Sequence, residues 1–388
     1  MDRISELPKH ILQRILYFLS QKDAVRTSVL SKSWSYIWCT RPNLVSSYND
    51  SKENKQEFLT TVEQNLQRYC DQRMCLEEFS LLIILDNHEY VSLLEKWIPT
   101  LKNMGVKKFR LSIYWKYSRQ LPSVVFEAES LQDLHMEGFT LDQTTIGRNV
   151  LSKHLKRLLL VKVEIEDGVF QKIISSCPLI ETLSLESCER LRNIKVNNLL
   201  RLKKFHFSST PKEECCIEIY PASLEIINIG HADVSFPKGA EFQNLKSLFL
   251  NHVILTSFDN FSSCKFPSLV NLCISHCDGL DESTEESHLF LDAPNLNTFV
   301  YHGWFNLSFS IATTSREWSS TLYLLMRDDP SLWLLKLRKL LESLSRSKIS
   351  LTIFQFHINA EDIFIENRDL VQNIKDENKH AVAVKKLI

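Results

Sequence analysis

One frame returns ten times along this chain: an apolar residue, two variable ones, apolar, variable, apolar. It reads LEEFSL from Leu76, VKKFRL from Val106, LQDLHM from Leu131, LKRLLL from Leu155 and IETLSL from Ile180. It continues as LKKFHF from Leu202, LEIINI from Leu224, LKSLFL from Leu245, LVNLCI from Leu269 and LNTFVY from Leu296. Successive starts lie 21 to 27 residues apart, after a longer first unit of 30. Within each frame the last two apolar residues alternate with variable ones, the period of a strand with one buried face. A short strand of this kind cannot bury its apolar side alone, so the fold must stack one unit on the next.

This period and pattern are those of leucine-rich repeats, whose strands form a parallel sheet on the concave face of a curved solenoid. In LKSLFL, Leu248 and Leu250 are expected to face the interior, and Ser247, Phe249 and Asn251 the other side. The same alternation turns outward the strand centres Arg110, His135, Leu159, Ser184, His206, Asn228, Phe249, Cys273 and Val300. Flanking outward positions add Lys108, Asp133, Glu137, Arg157, Glu186, Lys204, Asn251 and His302. This mixture of basic, acidic and apolar groups suits recognition of a protein target. The alternative for any one of them is a merely solvated side chain. Between the strands, Val169–Ser176 reads as a helix before Cys177-Pro178, and many other returns are too short for one. Tyr90, Val91, Leu94, Trp97, Ile98 and Leu101 mark an amphipathic helix in the long first unit.

Ahead of the repeats, Leu7, Ile11, Leu12, Ile15, Leu16 and Leu19 recur at spacings of three and four, the stripe of an amphipathic helix. Pro8 suits its first turn. Asp23 is placed to cap a second helix over Ala24–Leu30, and Ser31 a third carrying Trp34, Ile37 and Trp38. Three helices this short cannot cover all their apolar faces, so the next domain or a partner must cover the rest. The string ISELPKHILQRILYFLSQKDAVRTSVLSKSWSYIW closely resembles a plant F-box of the type that precedes leucine-rich repeats, over residues 2–42. In that family the module docks on the Skp adaptor of a cullin–RING ubiquitin ligase. The resemblance implies that Leu7, Pro8, Ile11, Leu12, Ile15, Leu16, Val29 and Leu30 are the docking residues. Two departures are visible: Ser20-Gln21 replaces a commoner Leu-Pro, and Lys9 stands where an acidic residue is usual. Neither removes an apolar anchor. The alternative reading of the stripe is core for a helical cap on the repeats.

The expected architecture is therefore α/β: a three-helix F-box over residues 1–42, then a linker and joining helix over 43–75 marked by Phe58, Val62, Leu66 and Tyr69. The leucine-rich-repeat solenoid follows over 76–310. A helix at Leu332–Leu344 and a strand at Ile349–Ile358 would cap it within 311–358, ahead of a charged, partly disordered tail over 359–388. Similar plant proteins carry a further C-terminal domain there, of which this chain is expected to hold at most the beginning.

Composition narrows the functions. Of the 388 residues, 46 are Lys or Arg and 47 Asp or Glu, a net charge of -1 that argues against nucleic-acid binding. The opening residues lack the apolar core of a signal peptide, and no stretch reaches the roughly 18 apolar residues of a membrane helix. The expected compartment is the cytosol or nucleus, and there the 10 cysteines are free thiols. No CxxC pair supports a zinc site. Cys188 and Cys277 hold the last position of LxLxxC, where a small buried side chain fits the turn after the strand. Cys273, Cys277, His276 and His252 lie close in sequence, but Cys273 should point out and Cys277 in, so no metal is expected. Related hormone receptors hold a small molecule and an inositol phosphate in their solenoids. No concentrated basic cluster here calls for such a cofactor, and none is assigned. Three functions remain open: a substrate receptor without chemistry of its own, a non-degradative scaffold on the adaptor, and an enzyme using Cys39 or Cys70. No recognisable motif places a histidine beside either cysteine.

Overall fold

The computed structural model describes residues 6–19, 21–30, 34, 37–48, 54–85, 91–115, 119–120, 123–143, 150, 152–197, 199–210, 214–220, 223–278, 288–304, 308–312, 319–325 and 350–357. The chain forms two compact units, Met1–Leu191 and Arg192–Ile388.

The first unit opens on two helices, α1 (Lys9–Tyr17) and α2 (Gln21–Arg26), the latter running into a 3-10 turn at Thr27–Val29. Asp23 therefore lies in the first turn of α2 and not ahead of it, where an acidic side chain favours the positive helix end. Leu12, Leu16, Ala24, Trp34 and Ile37 form the core of this module, with Leu19 and Trp38 packed against it. Three side-chain bonds tie α1 to residues 40–43. Gln13 Nε2 donates to the Thr40 carbonyl (3.1 Å) and hydroxyl (3.0 Å), and Asn43 Nδ2 donates to the Tyr17 carbonyl (3.2 Å).

Parallel strands then stack in sequence order: Asn43–Ser47, Glu78–Leu85, Lys108–Trp115, Asp133–Glu137, Arg157–Val161 and Thr182–Glu186. The frames pair like with like: Phe79 lies opposite Phe109, then come Leu134, Leu158 and Leu183, all buried. In eight of the ten frames the carbonyl of the second residue accepts two amides from the next repeat, as Glu77 does from Lys107 and Lys108 (both 2.9 Å). The first of these strands was not legible in the sequence. Asn43–Ser47 lies in the segment read as a linker and has no frame, yet Leu44 pairs with Phe79 and is buried like it. The joining helix spans Lys55–Asp71, capped by the Asn54 side chain, which accepts from the amide of Gln56 (2.9 Å). It buries Leu59, Val62, Leu66 and Tyr69, while Phe58 is half-exposed. The long first repeat carries its helix at Val91–Asn103, burying Leu94, Trp97, Ile98 and Leu101; Tyr90 lies outside the described residues. A later return is helical over Asp167–Ser176.

The second unit repeats the plan with strands Lys204–Ser208, Ile226–Ser235, Ser247–Leu255, Asn271–Ser275, Thr298–Trp304, Ser319–Leu325 and Ser350–His357. Phe205, Ile227, Leu248, Leu272 and Phe299 form one buried row, and Phe207, Ile229, Leu250, Ile274 and Tyr301 a second. Phe236, Phe242, Phe261 and Phe266 fill the interior behind them, with ring centroids 4.9–5.9 Å apart. The ladder continues past residue 310. Ser319–Leu325 pairs in parallel with Thr298–Trp304, and Ser320 takes the register position that Phe299 holds in its own strand. With a serine at that position the frame is invisible, although Leu322 is fully buried. The expected C-terminal strand is present at Ser350–His357; the expected helix Leu332–Leu344 and the tail lie outside the described residues.

Candidate functional site

Two surfaces stand out, the apolar side of the helical module and the outward side of the strands. Four of the eight residues matched to adaptor docking differ in kind from two others. Leu7, Ile15, Val29 and Leu30 are exposed, Val29 to 85% and Leu30 to 61%. Leu12 and Leu16 are 1% and 0% exposed, in the module's own core, so they hold the helices together and are not free to meet a partner. Pro8 is exposed and Ile11 half-buried. The structure adds Phe18, 75% exposed, and Val25 to the apolar surface. The stripe spacing could have found Phe18, seven residues after Ile11 on nearly the same helical angle.

α1 is also anchored electrostatically. The Tyr17 hydroxyl donates to the Glu78 carboxylate and accepts from Lys108 Nζ at 2.8 Å, with the ammonium 5.3 Å from the ring centroid. Burial and the Glu78 carboxylate push the Tyr17 phenol up, and the bond to Tyr17 raises Lys108. Glu78 and Lys108 are the first outward positions of successive strands, so the helical module and the repeats share these charges.

On the first unit's strands the outward charges pair sideways. Lys108 Nζ lies 3.8 Å from Glu78, Arg157 bonds to Asp133, and Lys162 Nζ lies 3.7 Å from Glu137. Of the predicted centres there, Arg110 is exposed, His135 and Leu159 are half-buried, and Ser184 is buried, its hydroxyl donating to Glu186 at 3.0 Å. Neither ring nitrogen of His135 has a partner, and burial, helped by Arg110, lowers its pKa.

On the second unit's strands the outward centres are His206, Asn228, Phe249, Cys273 and Val300, all at least partly exposed. Lys204 and Asn251 flank them in the open. Sequence reading missed how the histidines meet. His231 and His252 stack with ring centroids 4.7 Å apart and planes 6° apart; His252 and His276 repeat this at 4.7 Å and 8°. His302 lies 3.9 Å from His276, and Tyr323 5.3 Å from His302. A signal existed: in three successive repeats a histidine stands two residues past the frame, as in LEIINI-Gly230-His231. The three share left-handed backbone, with φ of 55°, 51° and 49°.

Cys188 and Cys277 are buried as expected. Their thiols reach back to equivalent carbonyls one repeat earlier, Leu160 at 3.5 Å and Leu250 at 3.6 Å. Burial pushes Cys277 up to about 12, which makes it a packing group and not a nucleophile. Cys273 is half-buried, and burial raises its thiol pKa as well. Among the described residues, no three His, Cys, Asp or Glu side chains are arranged to hold a metal ion. Cys70 is half-buried with its sulfur 3.9 Å from that of Met104; the Cys39 side chain lies outside the described residues. Among the described residues no helix is long and apolar enough to cross a membrane.

Comparison with known proteins agrees with this geometry. A family model for the F-box domain matches residues 4–46, and one for the leucine-rich repeats of the FBD-associated F-box protein At5g56370 matches residues 94–229. An Arabidopsis thaliana F-box/FBD/LRR-repeat protein, At5g56810, is 30% identical over 317 residues, covering 75% of this chain and 69% of the relative. The F-box/LRR-repeat protein At2g42720 of the same plant is 29% identical over 362 residues, 86% of this chain and 77% of the relative. A third, the F-box/LRR-repeat protein At3g18150, is 31% identical over 205 residues, 52% of this chain and only 41% of the relative. The chain spans about half the length of several such relatives. An F-box module followed by stacked parallel repeats, with a relative 30% identical over 75% of the chain, places it in a family: the chain belongs to the plant F-box/LRR-repeat proteins.

Proposed function

We propose that this chain is the substrate-recognition subunit of an SCF-type ubiquitin ligase. The helical module docks on a Skp-type adaptor, and through it on a cullin–RING scaffold, while the outward strand faces hold a protein target. The observation that carries this reading is the unburied apolar set Leu7, Ile15, Phe18, Val25, Val29 and Leu30 on a module whose core is already complete without it. Such a patch marks an interaction surface. Covering one aliphatic side chain contributes roughly 1.5–3 kcal/mol, so a few anchors offset the entropic cost of association. The chain itself then performs no chemistry. Holding the target beside the charged enzyme raises the effective concentration of its lysines.

Ile15→Asp combined with Leu30→Asp places two charges in the patch without touching Leu12 or Leu16. Adaptor co-purification is expected to fall at least a hundredfold while the far-ultraviolet circular dichroism stays that of the parent. Undiminished adaptor binding rejects the docking surface. Adaptor binding without ubiquitination of any bound protein in a reconstituted ligase favours a non-degradative scaffold instead.

A further inference from the structure

The charges on the outward side of the first unit find partners, with one exception. Glu78 lies 3.8 Å from Lys108, Asp133 holds Arg157, Glu137 lies 3.7 Å from Lys162, and Glu186 accepts from the Ser184 hydroxyl. Arg110 stands exposed among them, yet among the described residues its guanidinium makes no hydrogen bond or ion pair. Its neighbours share that state. The register sets Ser80 and His135 opposite Arg110 on the two adjoining strands, each one strand spacing of about 4.8 Å away. Ser112 stands two residues further along the strand of Arg110, on the same side of the sheet and roughly 7 Å on. Among the described residues neither serine hydroxyl has a hydrogen-bond partner, and neither ring nitrogen of His135 has one.

Unmet polar groups in a covered place cost free energy, and native proteins keep few of them. Here both His135 nitrogens are shielded from water, and Ser80 and Ser112 are only 8% and 3% exposed although they point away from the core. The two short side chains therefore lie low on the sheet beside the long Arg110. All four residues can donate. A guanidinium presents five N–H groups in a planar fork and accepts nothing, and a hydroxyl donates one. Burial, helped by Arg110, keeps His135 neutral near pH 7, with one N–H to give. The carboxylates that act on His135 are Asp133, Glu137 and Glu186, which Arg157, Lys162 and Ser184 already engage. The positive charge of Arg110 stays unmatched. Apolar side chains stand at the ends of its row, the exposed Val45 opposite Ser80 and the half-buried Leu159 opposite His135.

We propose that Ser80, Arg110, Ser112 and His135 form a cradle for one anionic side chain of the protein target. The Arg110 fork and the two serine hydroxyls hold its oxygens, and the His135 ring turns its N–H onto them. The inference rests on the reading of the strand faces as target-binding and names the group they bind. A carboxylate and a phosphate share this chemistry, since each matches a guanidinium two bonds at a time. One unmatched cation calls for a single anionic group, not for a long acidic run. The apolar ends of the row suit the residues on either side of such a group in a polypeptide, which a free ion lacks.

The test uses the full chain carrying carbon-13 in arginine and histidine, with acetate and inorganic phosphate as probes replacing chloride at constant ionic strength near pH 7. Arg110→Lys and His135→Asn identify the two signals to be followed by nuclear magnetic resonance. Both are expected to shift saturably with a millimolar midpoint, the affinity of a few charge-assisted hydrogen bonds, while Arg157, already holding Asp133, stays unmoved. Arg110→Lys keeps the charge without the fork and is expected to weaken binding at least about fivefold, read at His135. Ser80→Ala with Ser112→Ala is expected to weaken it at least about threefold. Should these variants fold poorly, the titration of the unaltered chain decides alone. Tighter acetate assigns the group to an Asp or Glu side chain, and tighter phosphate to a phosphorylated one. Absence of saturation, equal movement of Arg157, an unmoved His135, or undiminished binding by Arg110→Lys overturns the cradle. Adaptor co-purification separates the two readings. Intact adaptor binding by a chain that takes up neither anion defeats the cradle alone, and persistent adaptor binding by Ile15→Asp/Leu30→Asp defeats the docking surface alone.

Discussion

The two units build the same buried ladder and turn opposite chemistry outward. In the first, charges stand on neighbouring strands as opposite pairs: Glu78 beside Lys108, Asp133 beside Arg157, Glu137 beside Lys162. In the second, Lys204 is the one charge in the corresponding rows of the described strands, which otherwise carry residues such as Asn, Ser and stacked His, and the Lys246–Glu225 pair (2.8 Å) sits at the strand entrance, ahead of the outward centres. Both units nevertheless bury their inward rows almost completely. The frame that makes the fold thus constrains only alternate residues of each strand. Outward positions are free to vary without disturbing the stack, which is what a recognition protein needs from its scaffold.

That separation of inward from outward can be broken most severely at one strand. Leu250→Ala empties a fully buried site and is expected to cost about 2–5 kcal/mol, whereas Phe249→Ala, its outward neighbour, costs about 1 kcal/mol or less. Chemical denaturation of both variants measures the contrast, and equal losses would show that the alternation does not control stability.

The contrast between the units sharpens with pH. His231 and His276 are harder to protonate folded than unfolded, so the folded state binds fewer protons below the ordinary histidine value of 6.5. Their contribution to stability is complete above pH 6.5 and falls away as pH drops from there through their lower folded values. His135 in the first unit is lowered as well, so both units soften in acid. Replacing His231 and His276 by Asn is expected to flatten the fall in thermal midpoint between pH 7 and 5 while leaving the His135 part. An unchanged slope would remove these two histidines from the pH response.

The smallest effect belongs to the first unit's ion pairs. Arg157→Ala is expected to cost about 0.2–1 kcal/mol in dilute buffer and close to nothing in 1 M salt, because these groups are partly exposed and screened. A loss that persists at high salt would mean that Arg157 acts through packing of its stem, and the picture of a charge-balanced face would need revision.

Much of this was legible in the residues. Ten frames announced ten strands, Leu94, Trp97, Ile98 and Leu101 announced a helix, and Cys188 and Cys277 their buried turns. Three things were not. Asn43–Ser47 and Ser319–Leu325 are strands because a neighbouring edge pairs with them, with Leu44 and Leu322 as the buried anchors and no frame to see. Ile15 and Leu16 are adjacent members of one apolar stripe, yet Leu16 is core and Ile15 is exposed. Helical periodicity locates a stripe but does not say how much of it the returning helices cover.

The sequence by itself determined the strand repeat, its inward and outward sides, and the helical module ahead of it, since each follows from periodicity within a few neighbouring residues. Only the tertiary structure decided which apolar groups of that module stay open and that four histidines, 21 to 26 residues apart, stand ring on ring. Those outcomes depend on register and on what packs against each face, and such contacts join residues far apart along the chain.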